Sequence, residues 1–563
     1  MKVIIVGGVA GGATAATRLR RLNEHAKIIM FERTGYVSYA NCGLPYYVGE
    51  MIQDKNDLTL QTPDSFWRRF KIDVRVHHEV IKILPEDKKV VVRDLIHEQT
   101  FEESYDKLIL SPGAKPIQLN LPGMENERIF FIKTVEDTFQ LKKFIDEKKP
   151  RSAVIVGGGF IGLEMAENLC HLNVKVTIVQ KLNQLMTTLD YDMAAMIHAK
   201  LRSKGIRLIL EGDVIGFQEN KDSLRVLMKD ESFIDTDAVI MAVGVTPETT
   251  LAKETGIKTE IKGAIIVNDK METSLEDIYA VGDAVQIQHG VTGKSAVISL
   301  AGPANKQGRI AADNICGYES HYQGSMGSSI IQLFDMTVAS TGLTERAAKD
   351  TGFDYDKVVL SPSSHATYYP NAKVMTMKVL FERKSLQILG AQIIGYEGVD
   401  KRLDVIITAM SAGLKADKLK DLDLAYAPPY SSAKDPVNMA GYMIENLVHG
   451  KVKQFHWHDL ELLPKDGQVT LLDTRTKSEY ARGHVEGFIN IPLDDLRERM
   501  SELDLSKPLY IMCQSGLRSY LACRICSQEG FDCYNFSGGY RFYESVIHEK
   551  AISEKSYPCG MDQ

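Results

Sequence analysis

The stretch Val3-Ile4-Ile5-Val6-Gly7-Gly8-Val9-Ala10-Gly11-Gly12 decides how the chain is read. Four β-branched residues make a buried strand, and the glycines after them turn tightly into a small-residue helix. Such a turn lets the backbone approach a pyrophosphate at the helix N-terminus. Lys27–Phe31 forms the next strand, and Glu32 closes it where a carboxylate suits a ribose hydroxyl. Val9 stands where G-x-G-x-x-G has its middle glycine, so this first motif is imperfect. The pattern returns 150 residues later as Val154-Ile155-Val156-Gly157-Gly158-Gly159-Phe160-Ile161-Gly162, a full G-x-G-x-x-G, with its second strand at Lys175–Val179. Two such units predict an α/β chain with two Rossmann-like dinucleotide-binding domains rather than a solenoid.

The rest of the chain fits this frame. Its 563 residues suggest three or four domains. With 44% hydrophobic and 25% charged residues and a net charge of -7, nothing electrostatic points to nucleic acid. The apolar runs are strand-sized, which argues against a membrane partner, and Met1-Lys2 leads straight into a strand, so no signal peptide is expected. Eight cysteines in this length are no disulfide scaffold, so a reducing cytoplasm is expected and each cysteine is judged as a thiol. Crossovers are predicted at Ser111-Pro112-Gly113, after the strand Lys107–Leu110, and at Gly244-Val245-Thr246-Pro247, after Ala238–Val243. Strand patterns at Val358–Leu360, Val374–Phe381 and Leu386–Ile394 precede helical ones at Val399–Ser411 and Pro436–His449, an α+β domain. A small α/β unit follows, and a loose tail is expected from Ser553.

In the second motif, Glu164 and Glu167 lie in the first turns of the helix, where negative charge suits the dipole. Gln180 and Lys181 occupy the position of the usual ribose-binding acid. An acid there would repel the 2′-phosphate of NADPH, whereas an amide beside a lysine would not, so NADPH is expected to be accepted beside NADH.

Two thiols carry the chemistry. Cys42, in Ser38-Tyr39-Ala40-Asn41-Cys42-Gly43-Leu44-Pro45-Tyr46, is expected at a helix start, where the thiolate is favoured. The next cysteine is Cys170, too far along the chain for a local disulfide, so Cys42 is expected to work alone through a mixed disulfide or sulfenic acid. Cys513 opens Cys513-Gln514-Ser515-Gly516-Leu517-Arg518-Ser519, a C-x-x-G-x-R loop between a strand (Leu509–Met512) and a helix. Its amides are expected to curl around the sulfur, with Arg518 adding positive potential. Four residues separate Cys513 from Arg518, one fewer than in cysteine phosphatases, a ring sized for a persulfide sulfur rather than phosphate. Cys523 and Cys526 read as helix-core residues, Cys170, Cys316 and Cys533 as structural, and Cys559 as a candidate resolving thiol; no metal site is expected.

Several segments resemble known families. Thr273 with Asp277–Asp283 is similar to the second FAD motif of two-dinucleotide flavoproteins, which implies that Asp283 meets the ribityl chain. Ser38–Tyr47 closely resembles the coenzyme A-disulfide reductases, a single-cysteine branch of the pyridine nucleotide–disulfide oxidoreductases. That resemblance covers about residues 1–450 and extends to His365–Pro370 and Tyr426–Pro436. It implies a homodimer in which Tyr368 and Tyr426 reach the partner's active-site thiol, with Tyr426 also nearing the flavin. It places FAD at Gly7, Val9, Ala10, Gly11, Gly12, Glu32, Arg33, Asn41, Cys42, Val80, Ser111, Pro112, Gly113, Gly282, Asp283 and Ala301. NAD(P)H falls to Gly157, Gly159, Phe160, Ile161, Gly162, Glu164, Gln180, Lys181 and Gly244. Coenzyme A contacts map onto Thr14, Arg18, Arg21, Ser38, Asn41, Asn305 and Lys434. The basic residues read independently as a phosphate cradle, Arg18, Arg20 and Arg21 on the first helix and Arg68, Arg69 and Lys71 after Phe66-Trp67. Leu472–Arg475 and Gly483–Pro492, with the Cys513 loop, resemble rhodanese domains.

The expected organisation is an FAD domain at 1–112 and 245–324, an NAD(P)H domain at 113–244, a dimerisation domain at 325–450, a linker at 451–459, a rhodanese domain at 460–552 and a tail at 553–563. The expected activity is flavin-dependent reduction of coenzyme A persulfide, polysulfide or coenzyme A disulfide by NAD(P)H, with Cys513 carrying sulfane sulfur. The alternatives are an NAD(P)H oxidase or peroxidase cycling Cys42 through sulfenic acid, and a redox-sensing sulfur carrier.

Overall fold

The computed structural model describes the chain to Lys555, apart from Lys465, with side chains to Ile552; Cys559 and the end of the expected tail lie outside the described residues. The chain divides into two compact units, Met1–Leu185 with Lys204–Gly327, and Met186–Ser203 with Ser328 onward.

The first unit holds two parallel five-stranded sheets. One runs in the order Ile278–Ala280, Lys107–Leu110, Lys2–Val6, Lys27–Glu32, Asp73–Val76. The other runs Arg207–Leu210, Lys175–Gln180, Ser152–Val156, Ala238–Met241, Ile129–Phe130. In each, the glycine-ended strand lies at the centre. It is buried because a three-stranded antiparallel sheet packs on one face, through Val80, Ile83, Val90 and Val92 in the first and Phe217, Leu224 and Val226 in the second, opposite the helix that follows the turn. The two turns are built alike. Gly7 N–H donates to the Phe31 carbonyl and Gly157 N–H to that of Val179, both at 2.8 Å. Gly7 and Gly157 have φ of +94° and +108°, where a side chain would be strained. A Cβ on Gly12 would stand 1.9 Å from the Gly7 carbonyl oxygen, and one on Gly162 would stand 2.1 Å from that of Gly157, so only glycine lets the helix close onto the turn.

In the second unit, five antiparallel strands run in the order Ser329–Leu333, Met336–Gly342, Ile388–Gly395, Thr376–Glu382, Tyr355–Leu360. Helices Val399–Ser411 and Pro436–Val448 bury their apolar faces on this sheet, around Val379, Phe381, Ile393, Ile406 and Ile444. A parallel sheet follows in the order Lys453–Phe455, Cys533–Phe536, Leu509–Met512, Thr470–Asp473, Ile489–Asn490. Cys523, Cys526 and Cys533 pack in its core.

One helix departs from chain order. In sequence, Tyr191–Ser203 falls between Lys175–Gln180 and Arg207–Leu210, but it belongs to the second unit. Its His198 meets Glu549 of the terminal helix (Gly539–Lys555) at 3.1 Å, and its Arg202 pairs with the same carboxylate. Asp192, on the same helix, and Asp190 each lie 2.9 Å from the fully buried Lys378, which also pairs with Glu345. These three carboxylates are close enough to hold a cation, and the Lys378 ammonium sits among them. The linker joins here too: Trp457 Nε1 donates to Asp192 at 3.1 Å, and His458 Nε2 lies 3.3 Å from Lys357 Nζ.

Removing one partner of a buried ionic cluster leaves uncompensated charge. Lys378→Met is therefore expected to cost about 3–5 kcal/mol, checked by denaturant unfolding.

Candidate active site

A cavity of about 590 Å³ opens at the first glycine turn. Its lining includes Gly7, Val9, Gly11, Glu32, Ser111, Gly113, Gly282 and Asp283, together with Ala10, Arg33, Asn41, Val80 and Pro112. Gly12 is absent from the lining because it packs beneath Gly7; Cys42 and Ala301 are absent as well. Gly113 has φ +73° and open space where a Cβ would be. Glu32 is held from two sides: Gly8 N–H donates to Oε2 at 2.9 Å, and Thr34 donates to Oε1. Asp283 takes no side-chain hydrogen bond among the described residues, and burial pushes its carboxyl up, with Lys133 opposing. A half-buried acceptor facing an open cradle fits a hydroxyl-bearing chain such as that of FAD.

The second turn repeats the device with one change. Gly158 N–H donates to Gln180 Oε1 at 3.0 Å, so the amide takes the structural place of Glu32 without its charge. Nothing lies within 4 Å of a Cβ position on Gly159, which leaves room for a nucleotide phosphate. Lys181 is 75% exposed and sits 3.1 Å from both oxygens of Asp213. The free lysine expected from sequence thus carries a competing partner.

Cys42 lies in the 3-10 turn Asn41–Gly43, just before helix Leu44–Val48. The loop is pinned by Ala40 N–H to the Leu58 carbonyl at 2.8 Å and by Leu60 N–H to that of Ser38 at 3.0 Å. The expected helix start is a five-residue helix, and the expected fall in thiol pKa is reversed. Burial pushes the Cys42 thiol up, Glu164 and Asp283 add to this, and Lys133 opposes. Burial and two carboxyls, against one lysine, set that direction. Glu164 is itself pushed up to about 7 by burial and Glu167, with a Tyr46 hydrogen bond opposing.

The basic cradle is thinner than the sequence indicated. Arg20 is buried and spent on the carbonyls of Phe70, Asn23, Glu24 and Lys71. Arg18 pairs with Asp313 at 2.6 Å, and Arg68 pairs with Asp64 on the surface. Lys71 Nζ lies 5.3 Å over the Trp67 ring. Arg21 is exposed, as is Asn305, which accepts from Thr14 Oγ1 at 2.7 Å. In the second unit Lys434 is exposed, and the hydroxyls of Tyr368 and Tyr426 meet at 2.7 Å, with the two residues 75% and 46% exposed.

The second thiol is enclosed. Cys513 has no exposed surface; Gly516 N–H reaches its Sγ at 3.1 Å and Ser519 Oγ at 3.3 Å. Gly539 packs against the loop backbone, where a Cβ would stand 2.6 Å from Ser515 N. Arg518 forms a two-point pair with Glu479 at 2.7 and 2.8 Å, which offsets part of the positive charge expected at the loop, while it still interacts electrostatically with Cys513. Ser519, next to Arg518, and Glu479, 39 positions upstream of it, are functional neighbours that no local motif marks. Arg475, clamped by Asp473 at 2.7 Å and lying 3.9 Å over the Tyr540 ring, supports Gln514.

Two glycine-turn sheets, a flavin-sized cradle and an adjacent exposed thiol define a two-dinucleotide oxidoreductase. Comparison with known proteins gives the family. The pyridine nucleotide-disulphide oxidoreductase model matches residues 1–308, its dimerisation-domain model matches 329–436, and the rhodanese-like domain model matches 456–545. The chain is 37% identical to a coenzyme A disulfide reductase of Staphylococcus haemolyticus over 447 residues, 79% of this chain and all of that one. The reduced CoADR-RHD of Bacillus anthracis superposes with a TM-score of 0.95 at 46% identity, covering 97% of this chain and 98% of that one. A NAD-dependent persulfide reductase from A. fulgidus superposes with a TM-score of 0.90 at 34% identity, covering 96% and 100%. The chain belongs to the pyridine nucleotide-disulphide oxidoreductases, enzymes of FAD and NAD(P)H, and carries a rhodanese domain at its C-terminal end. Among the described residues, no helix is long and apolar enough to cross a membrane.

Freeing Lys181 tests its role toward a 2′-phosphate. Asp213→Asn is expected to raise the NADPH-to-NADH ratio of kcat/KM about two- to fivefold, the range of an exposed ion pair. An unchanged ratio would mean that Lys181 does not meet the phosphate.

Proposed function

We propose that the protein reduces coenzyme A persulfide, polysulfide and coenzyme A disulfide with NAD(P)H, using Cys42 alone as the sulfur nucleophile. The observation that carries this reading is that Cys42 is the one exposed thiol among the described cysteines. The likeness to coenzyme A disulfide reductases and to a persulfide reductase supports the substrate class. We assign the FAD domain to 1–112 and 245–324, the NAD(P)H domain to 113–244, and the dimerisation and rhodanese domains to 325–450 and 460–552.

Bound FAD would pass electrons from NAD(P)H to the sulfur bound at Cys42. The chain's own residues do the rest. Cys42 attacks the substrate sulfur and holds coenzyme A as a mixed disulfide. The balance with a disulfide is NAD(P)H + H⁺ + CoA–S–S–CoA → NAD(P)⁺ + 2 CoA–SH. With a persulfide, one CoA–SH and one H₂S leave. Thr14, Arg18, Arg21, Ser38, Asn41, Asn305 and Lys434 are assigned to coenzyme A, with Arg68 and Lys71 as outer charges. The pairing of Arg18 with Asp313 requires that pair to open or to share a phosphate. In a homodimer, Tyr368 and Tyr426 come from the partner subunit and donate to the leaving sulfur; their exposure and convergent hydroxyls support this. Cys513 takes sulfane sulfur from a donor and hands it to coenzyme A, and fusion raises the effective concentration of that transfer.

The test is steady-state NAD(P)H oxidation with coenzyme A persulfide and with coenzyme A disulfide, trapping released sulfide. Cys42→Ser is expected to lower turnover of both about a hundredfold or more, as loss of a covalent nucleophile does. Cys513→Ser is expected to spare disulfide reduction and slow turnover of bulk polysulfide; equal loss of both would sink the division of labour. Tyr426→Phe is expected to lower kcat about tenfold, the worth of one hydrogen bond to developing charge. Rapid NAD(P)H consumption in air without a sulfur substrate would favour the oxidase reading instead.

A further inference from the structure

Arg402, on helix Val399–Ser411, is a fully buried cation with no part in the reaction so far. Its Nη2 donates to the Ser364 carbonyl at 2.9 Å, and to Ser431 Oγ and Asp435 Oδ2 at 3.0 Å each. Its Nη1 donates to the Gly398 carbonyl at 3.2 Å. A Cβ on Gly398 would stand 2.1 Å from that nitrogen, so the glycine leaves room for the guanidinium. One planar group thus ties together two loops. Residues 364–370 carry Tyr368, and residues 426–431 begin with Tyr426. Each loop is closed on itself. The His365 ring lies 3.0 Å from both Ser364 Oγ and the Pro370 carbonyl, and Ser431 N–H donates to the Ala427 carbonyl at 3.2 Å. The loops also meet directly, with Ala366 N–H donating to the Ser431 carbonyl at 3.0 Å. Ser431 Oγ donates to Asp435 Oδ2 at 2.6 Å, and Asp435 Oδ1 caps helix Pro436–Val448 by accepting from Val437 N–H at 3.0 Å.

We infer that Arg402 is the positioning residue of the two tyrosines: its guanidinium fixes one loop against the other and so brings the Tyr368 and Tyr426 hydroxyls together. The inference rests on the role given above to those hydroxyls at the leaving sulfur. Both rings are exposed, so packing does not hold them where their hydroxyls meet at 2.7 Å. The backbone of the two loops must do so, and Arg402 is the buried side chain bonded to both. Within the pair, one hydroxyl hydrogen is used between the two oxygens, and the other is left to donate. A shift of one loop against the other separates the oxygens and misaims that remaining hydrogen, which is costly at a reacting centre. Only one of the four acceptors on Arg402 is anionic, so pairing with Asp435 does not account for the rest of the fork. A lysine would keep the charge beside Asp435 but has no planar fork with which to span both loops.

The test is a mutant cycle in the flavin-loaded enzyme, read as kcat and KM with coenzyme A disulfide. Arg402→Lys is expected to lower kcat about five- to tenfold and to leave KM for NAD(P)H unchanged, because the tyrosines serve the sulfur and not the nicotinamide. In a Tyr368→Phe, Tyr426→Phe background no hydroxyl is left to position, and the same change is expected to cost less than about twofold. A merely structural role would slow both backgrounds alike. Ser431→Ala removes one acceptor of the fork and is expected to lower kcat about two- to threefold, again only while the hydroxyls are present. It decides the matter if Arg402→Lys does not load flavin. Losses that multiply in the Phe background, or wild-type kcat in Arg402→Lys, overturn the inference and leave the role of the tyrosines standing. Wild-type kcat in the variant with both phenylalanines strikes that role instead, and the inference falls with it.

Discussion

A backbone amide at a tight glycine turn must find an acceptor, and in both nucleotide-binding sheets that acceptor is the side chain closing the neighbouring strand. Glu32 serves Gly8, and Gln180 serves Gly158. This one interaction fixes the distance between turn and strand end, and with it the floor of each cradle. Glutamate and glutamine are equal in reach, so the geometry is preserved while the charge is changed. The first cradle keeps an anionic acceptor and the second a neutral one. Specificity toward the cofactor can thus vary at this position without disturbing the sheet.

The same constraint explains why so much was legible. The spacing of Gly7 to Gly12, and of Gly157 to Gly162, is set by a close helix-to-turn packing in which an added Cβ would stand about 2 Å from a carbonyl oxygen, so the motif is written locally. The strands Lys107–Leu110 and Leu509–Met512 and the helix Val399–Ser411 likewise follow from short-range apolar patterning. The Cys513 loop was legible because a ring of fixed size must be contiguous in sequence.

What was not legible depends on partners far along the chain. Arg518 reads as a free cation until Glu479 is folded against it. Arg20 reads as a phosphate ligand until its donors are spent on carbonyls about 50 residues away. Helix Tyr191–Ser203 gives no local sign of the buried Glu549 that pairs with its His198. The thiol of Cys42 shows the same limit. A helix start is a local feature, whereas the burial that raises the thiol and the carboxyls of Glu164 and Asp283 that add to it come from the fold.

The two thiols therefore sit in contrasting settings. Cys42 is open to its substrate, yet its charge is opposed by carboxyls, so the thiolate is disfavoured until chemistry produces it. Cys513 is sealed, and its sulfur is held by a backbone amide and a hydroxyl within a loop whose arginine is already paired. An open thiol with an unfavourable charge suits short-lived bonds to a large substrate that must be released on every turnover. A sealed sulfur held by hydrogen bonds suits a small cargo that must be kept from water until it is handed on. Exposure differs at the two sites, and that contrast supports the proposal of reduction at one and sulfur storage at the other.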